Sequence, residues 1–115
     1  MRLLVCGGRN FDDRERLLTA MNSAVRGVSM ATVTVIHGGA RGADSMAGVI
    51  ANDVRVPVIV FRADWERDGN SAGPKRNQRM LDEGKPDLVL AMPGGVGTAD
   101  MVRRARAAGV PVMEG

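Results

Sequence analysis

The sequence predicts an α/β fold in which a parallel sheet of about five strands is covered by helices on both faces. Three observations carry this. Strand-like and helix-like segments alternate along all 115 residues, which argues for parallel strands joined by right-handed crossovers. The strand-like runs are nearly all apolar, as strands buried on both faces are. Glycine, proline or other turn residues punctuate the junctions between them. Five strands are too few to close a (β/α) barrel, so the open sheet is the economical solution. The length fits one domain spanning residues 1–115, large enough for a single core.

Each element has its own signal. Arg2 to Cys6 is a short apolar strand ended by Gly7-Gly8. Asp12 and Glu15, three apart, resemble a capping box opening an amphipathic helix that runs to about Val28. Thr32 to Ile36 is β-branched and stops at His37-Gly38-Gly39. Asp44 to Val54 is helical in pattern, with Met46, Val49 and Ile50 expected on one apolar face. Val56 to Phe61 forms a third strand whose Pro57 is tolerable at the entry. Arg62 to Ala72 reads as the longest irregular segment, and Pro74 as the first residue of a helix through Glu83. Asp87 to Ala91 is strand four, Gly97 to Ala108 the last helix, and Gly109 to Met113 a short fifth strand.

Composition removes several classes. At 44% hydrophobic and 25% charged residues the chain is ordinary for a globular protein. No apolar run approaches the roughly 18–20 residues of a membrane span, and Met1 to Cys6 is too brief for a signal-peptide core. The expected location is cytoplasmic, with no membrane partner. The single Cys6 excludes an internal disulfide and a multi-cysteine zinc site. One His and dispersed carboxylates offer no metal-ligand spacing, so no metal site is expected beyond Mg2+ carried in with a phosphate ligand. The net charge is only +3, yet fourteen of the sixteen basic residues are Arg. That bias reflects coding composition, or arginine forks that bind anions, or both.

Eight of the fifteen glycines fall in three clusters: Gly7-Gly8, Gly38-Gly39-Ala40-Arg41-Gly42 and Pro93-Gly94-Gly95-Val96-Gly97-Thr98. Each follows a predicted strand and precedes a predicted helix, so all three should meet at the sheet edge where open α/β folds bind ligands. Glycine there lets backbone approach an anion, and helix N-termini supply free N–H groups. Neither the G-x-G-x-x-G dinucleotide fingerprint after the first strand nor a P-loop is present. The edge is phosphate-friendly without being a standard NAD or ATP site.

Three motifs in order then carry a family resemblance. They are His37 to Asp44; Trp65 with Ala72-Gly73-Pro74-Lys75-Arg76-Asn77-Gln78-Arg79-Met80; and Pro93 to Met101. Together they resemble the SLOG superfamily, and within it the YspA/YpsA-related branch found in bacteria and phages. The resemblance implies a Rossmann-like, SLOG-type domain that binds a nucleotide or nucleotide-derived small molecule, to sense, sequester or process it. Relatives are often dimers, which implies a homo-oligomer. Some relatives, the lonely-guy phosphoribohydrolases, cleave nucleoside monophosphates; the DprA family binds single-stranded DNA. The phosphoribohydrolase signature P-G-G-x-G-T-x-x-E matches here from Pro93 to Thr98, but its Glu position is Met101. A thioether cannot activate water. Asp100 is adjacent, yet one helical residue is about 100° of rotation. Arg76, with Met80 four residues on, matches that family's R-K-x-x-M element.

The expected ligand-binding residues are therefore Gly8, Arg9, Gly38, Gly39, Arg41, Gly42, Asp44, Trp65, Arg76, Asn77, Pro93, Gly94, Gly95, Gly97 and Thr98. Arg9, Arg41 and Arg76 are counter-charges or solvated arginines. Thr98 caps the last helix or bonds a phosphate oxygen. Asp44 is a dipole-stabilised first-turn acid or a ribose-hydroxyl acceptor. Trp65 stacks on a base or pins its loop. His37 is expected to be structural and Cys6 to pack. Arg103, Arg104 and Arg106 are expected to form a solvated or interfacial basic face on the last helix. If the protein is an enzyme, Asp100 and Asp44 are the catalytic carboxylates of a nucleotide N-glycosidase. The second alternative, single-stranded nucleic-acid binding, has only Phe11, Phe61 and Trp65 as stacking platforms.

Overall fold

A computed structural model describes residues 1–115. Its sheet comprises β1 (Arg2–Cys6), β2 (Thr34–His37), β3 (Val58–Val60), β4 (Leu88–Ala91) and β5 (Val112–Glu114). All pairings are parallel, in the order β3-β2-β1-β4-β5. The helices are α1 (Arg14–Ala24), α2 (Ala43–Asp53), α3 (Trp65–Asp68), α4 (Ala72–Asp82) and α5 (Val96–Ala107). This is the Rossmann-like α/β architecture that the alternation predicts.

Side chains alternate across β1 and divide the core in two. Leu3 and Val5 pack with Leu17 and Met21 of α1 and Ala47 and Ile50 of α2. Leu4 and Cys6 pack with Met80 of α4 and Met101 and Ala105 of α5. Because β1 is central and flanked by β2 on one side and β4 on the other, connections leave β1 and β4 in opposite directions. A crevice opens there, beyond the carboxyl ends of these two strands, where ligands of open α/β sheets sit.

The structure corrects several local expectations. Asp13, not Asp12, caps α1, its carboxylate accepting from the Arg16 amide at 3.0 Å. That helix stops at Ala24, short of Val28. Of the expected Met46–Val49–Ile50 face, Ile50 is buried and Met46 packs partly buried against the core, but Val49 is 54% exposed, and Ala43, Ala47 and Ala51 fill the buried side. Small residues let this helix lie close to the sheet. The third strand is only Val58–Val60 and the fifth is Val112–Glu114, so Pro57 and Pro111 stand just outside. The segment expected to be irregular holds α3 and a 3₁₀ turn, Gly69–Ser71. Consequently α4 begins at Ala72 and Pro74 is its third residue, still within the first turn, where a missing N–H costs nothing. No helix is long and apolar enough to cross a membrane.

Candidate functional site

The three glycine clusters meet at the crevice. The Gly8 amide donates to the Pro93 carbonyl at 2.9 Å, and the Gly8 carbonyl accepts from Ala43 N at 3.2 Å. One residue therefore ties the β1 loop to both the β4 loop and the head of α2. Gly42 has φ +83°, and a Cβ there would run into the Gly8 carbonyl. At Gly94 a Cβ would strike the Thr98 hydroxyl and come within 2.7 Å of the Gly8 amide. Only glycine lets these loops close.

Two adjoining clefts result. The larger, about 650 Å3, lies over the β1/β4 crevice, with Gly8 and Asp44, the α4 residues Arg76 and Asn77, and Gly97 and Thr98 of α5 among its walls. The second, about 510 Å3, surrounds Gly38-Gly39 and is bounded by Arg9, Arg41, Arg62 and Arg76. Arg9, Ala40, Trp65 and Arg76 border both.

Arg76 occupies the junction. Its Nη1 donates to the Gly38 carbonyl at 2.5 Å and its Nε to Asn77 Oδ1 at 3.0 Å. Burial lowers its pKa from the ordinary value, and the Arg9 charge contributes in the same direction. Beneath it, Asp44 is buried and accepts from the Gly38 amide at 2.9 Å. Burial raises the Asp44 pKa, against the lowering effect of that hydrogen bond and of Arg76. His37 is buried, and its Nδ1 accepts from the Gly39 amide at 3.0 Å. Burial first, then the charges of Arg62 and Arg76, push its pKa down. It is a buried, hydrogen-bonded residue that borders neither cleft. Burial, with the Asp44 charge adding, pushes the Cys6 thiol up to about 12, so it packs as an inert thiol.

At the first turn of α5 the N-cap is Gly95, and no side chain caps the helix. Thr98 is thus not the cap; it lines both the larger cleft and a neighbouring groove, with its hydroxyl close to Gly94. Uncapped N–H groups at a helix start form an anion-binding surface. Asp100, buried one turn on, is held by Asn77 Nδ2 at 3.0 Å, Arg104 Nε at 2.8 Å and Arg103 Nη2 at 2.5 Å. Burial alone would raise its pKa, but these hydrogen bonds and charges more than offset it and leave it lowered. Arg103 and Arg104 therefore serve an ion cluster and are not a free basic face. Arg103 and Arg106, the latter 3.9 Å from Glu114, keep the expected solvated position, and Arg104 is partly buried.

Trp65 opens α3, which is fixed by Asp64 accepting from the Arg67 amide at 3.1 Å. Asp68 closes the segment, bridging Arg67 and Lys75 at 2.9 and 3.2 Å. The indole is half-exposed, and the Arg9 guanidinium lies 5.5 Å from its ring centre, within cation–π range.

Most predicted site residues border one or both clefts; Pro93, Gly94 and Gly42 border neither. Pro93 and Gly94 face a separate groove on the far side of the α5 head, shared with Gly95 and Thr98. Gly42 borders neither cleft and acts by letting the loops close. Gly38, Gly39 and Arg41 border the second cleft and not the larger one. Sequence reasoning missed Arg62, Val96 and Arg103. Arg62 follows directly on the third predicted strand, so its position at the ligand-bearing edge was an available signal. No group of three His, Cys, Asp or Glu side chains is placed to hold a metal ion.

A Rossmann-like sheet with glycine-closed loops and an arginine-lined edge defines the class of protein. The family model described as the YspA, cpYpsA-related SLOG family matches residues 1–67. The gene 61 protein of Mycobacterium phage D29 is 39% identical over 119 residues, covering 97% of this chain and 94% of that protein. The chain belongs to the YspA, cpYpsA-related SLOG family. The X-ray structure of TM1055 superposes with a TM-score of 0.72 over 96% of this chain and 71% of that one. At 22% identity, this likeness is one of fold.

Proposed function

We propose that this protein binds a nucleotide or nucleotide-derived small molecule, with a phosphate seated at the head of α5 and Arg76 as its counter-charge. The observation that carries this reading is the uncapped α5 N-terminus facing the larger cleft beside Thr98 and Arg76. A phosphate there would accept backbone N–H bonds and a charge-assisted guanidinium bond, the latter worth about 1.5–3 kcal/mol. The half-exposed Trp65 offers a face for the base. Binding for sensing or sequestration is favoured over cleavage. Asp100 is committed to Asn77, Arg103 and Arg104, and Met101 stands buried where a phosphoribohydrolase has its Glu.

Native mass spectrometry after incubation with a nucleotide pool tests this, and the same mass reports whether subunits pair. An intact ligand at one copy per subunit, lost in Arg76→Ala, is the expected result. A bare protein mass with every pooled nucleotide would contradict it.

A second reading, a nucleotide N-glycosidase, is favoured by one feature: Asp44, a buried carboxyl with raised pKa, borders the cleft, as acid–base groups do. It requires release of free base from a nucleoside monophosphate and loss of that activity in Asp44→Asn. Full turnover in that variant would remove Asp44 from the role.

A further inference from the structure

The second cleft has an unusual charge inventory. Arg9, Arg41, Arg62 and Arg76 border it, and none of its bordering residues is acidic. The eight ion pairs of the structure engage Arg14, Arg67, Lys75, Arg79, Arg103, Arg104 and Arg106, and none of these four. Their partners are neutral. Arg76 bonds the Gly38 carbonyl, and Arg62 reaches the Gly39 carbonyl at a loose 3.5 Å. Arg41 touches Asn10 Oδ1 at 3.4 Å and Arg9 rests over Trp65. Four guanidinium groups border the cleft with no carboxylate in its lining; Asp44, bonded to the Gly38 amide and acting on Arg76, is buried beneath and forms no ion pair with any of them. Like charges held together repel, so the arrangement suits an anion that brings them opposite charge.

This cleft is distinct from the α5 head, where the first phosphate is placed. The two clefts are joined across Arg9, Ala40, Trp65 and Arg76, so one elongated molecule can occupy both. We infer that the ligand carries two spatially separate anionic groups, one at the first turn of α5 and the other among Arg9, Arg41, Arg62 and Arg76. The chemical class is a nucleoside bisphosphate or a dinucleotide with phosphates at separate positions, in preference to a monophosphate or a compact polyphosphate tail. The inference rests on the nucleotide-binding reading above and narrows its ligand.

Titration calorimetry at fixed ionic strength tests it. The probes are the 5′-monophosphate, the 5′-diphosphate and the 3′,5′-bisphosphate of adenosine and of guanosine, with the 5′-phosphorylated dinucleotides. Separated phosphates are expected to tighten binding about tenfold or more over the monophosphate. The 5′-diphosphate, with its phosphates adjacent, is expected to gain less. Arg62→Ala, an exposed residue that borders only the arginine cleft, should bring the ratio of bisphosphate to monophosphate affinity toward one. Arg41→Ala should act in the same direction. Equal affinity for monophosphate and separated-phosphate probes would overturn the two-anion inference and leave the nucleotide reading standing. So would equal gains from adjacent and separated phosphates, or a ratio that survives both substitutions. Binding of none of the probes would overturn the nucleotide reading and this inference with it.

Discussion

Asn77 of α4 donates through Nδ2 to Oδ2 of Asp100 on α5 at 3.0 Å, joining the two helices at the inner wall of the larger cleft. The same amide also reaches the Gly97 carbonyl at 3.2 Å. Arg104 extends the link by bonding Asp100 and Gln78 together, at 2.8 and 3.1 Å. A buried carboxylate that loses a donor bears a desolvation cost of about 1–3 kcal/mol. Asn77→Ala is therefore expected to destabilise the fold by about that amount in urea denaturation at pH 7. The Asp100 pKa is lowered in the fold, so its contribution is present above the unfolded value of 3.8 and is lost as pH falls through the lower folded value. An unchanged denaturation midpoint in Asn77→Ala would show that the link does not hold the helices.

His37 gives a second pH dependence, in a different window. It is the only histidine, and its pKa is depressed below 6.5 by burial and by Arg62 and Arg76. As pH falls below 6.5 the unfolded chain takes up a proton that the folded chain refuses, so stability declines. The melting temperature is expected to fall between pH 7.5 and 5.5, and His37→Asn to flatten that slope. Proton NMR of the single imidazole should find a midpoint below 6.5. A midpoint at or above 6.5 would contradict the burial argument.

Gly94 and Gly95 make a matched pair. A Cβ at Gly94 meets Thr98 and Gly8, whereas a Cβ at Gly95 meets nothing. Gly94→Ala is expected to cost about 1–3 kcal/mol through overpacking, and Gly95→Ala about 0.5 kcal/mol or less. Equal melting temperatures for the two variants would show that the loop contact is not tight.

Trp65 is the sole tryptophan and borders both clefts. Its emission is expected to change on nucleotide binding and to saturate with the ligand. Trp65→Ala should weaken binding by about 1–3 kcal/mol if a base stacks there. Binding with no change in emission and no loss in the alanine variant would place the base elsewhere.

The fold was legible because strand and helix signals alternate without ambiguity, and because β-branched runs and glycine junctions mark each strand end. The convergence of the loops followed from that topology alone. What the sequence hid was tertiary. Val49 looks like a core residue by spacing, yet the buried side of the helix centres on Ala43, Ala47, Ile50 and Ala51 and leaves it 54% exposed. Thr98 has the chemistry of a cap, but Gly95 holds the N-cap position three residues earlier. Arg103 and Arg104 look like solvent-facing charges, although their i,i+3 and i,i+4 spacing from Asp100 on one helix already allows the pairing; what only the packing of α4 on α5 adds is Asn77 and Gln78. Arg62 directly follows a strand-like run, which marks it for the ligand-bearing edge, but the cluster it joins is built from arginines far from it in the chain.

The most direct test of phosphate binding at the α5 head is a two-dimensional 15N–1H NMR titration with nucleotides. The amides of Gly8, Val96, Gly97 and Thr98 are expected to shift together and saturably, with Gly38 and Gly39 following for ligands that bear a second phosphate. Amides of α1, on the opposite face of the sheet, should stay in place. Saturable shifts confined to other surfaces, or none with any nucleotide, would contradict a phosphate site at this edge.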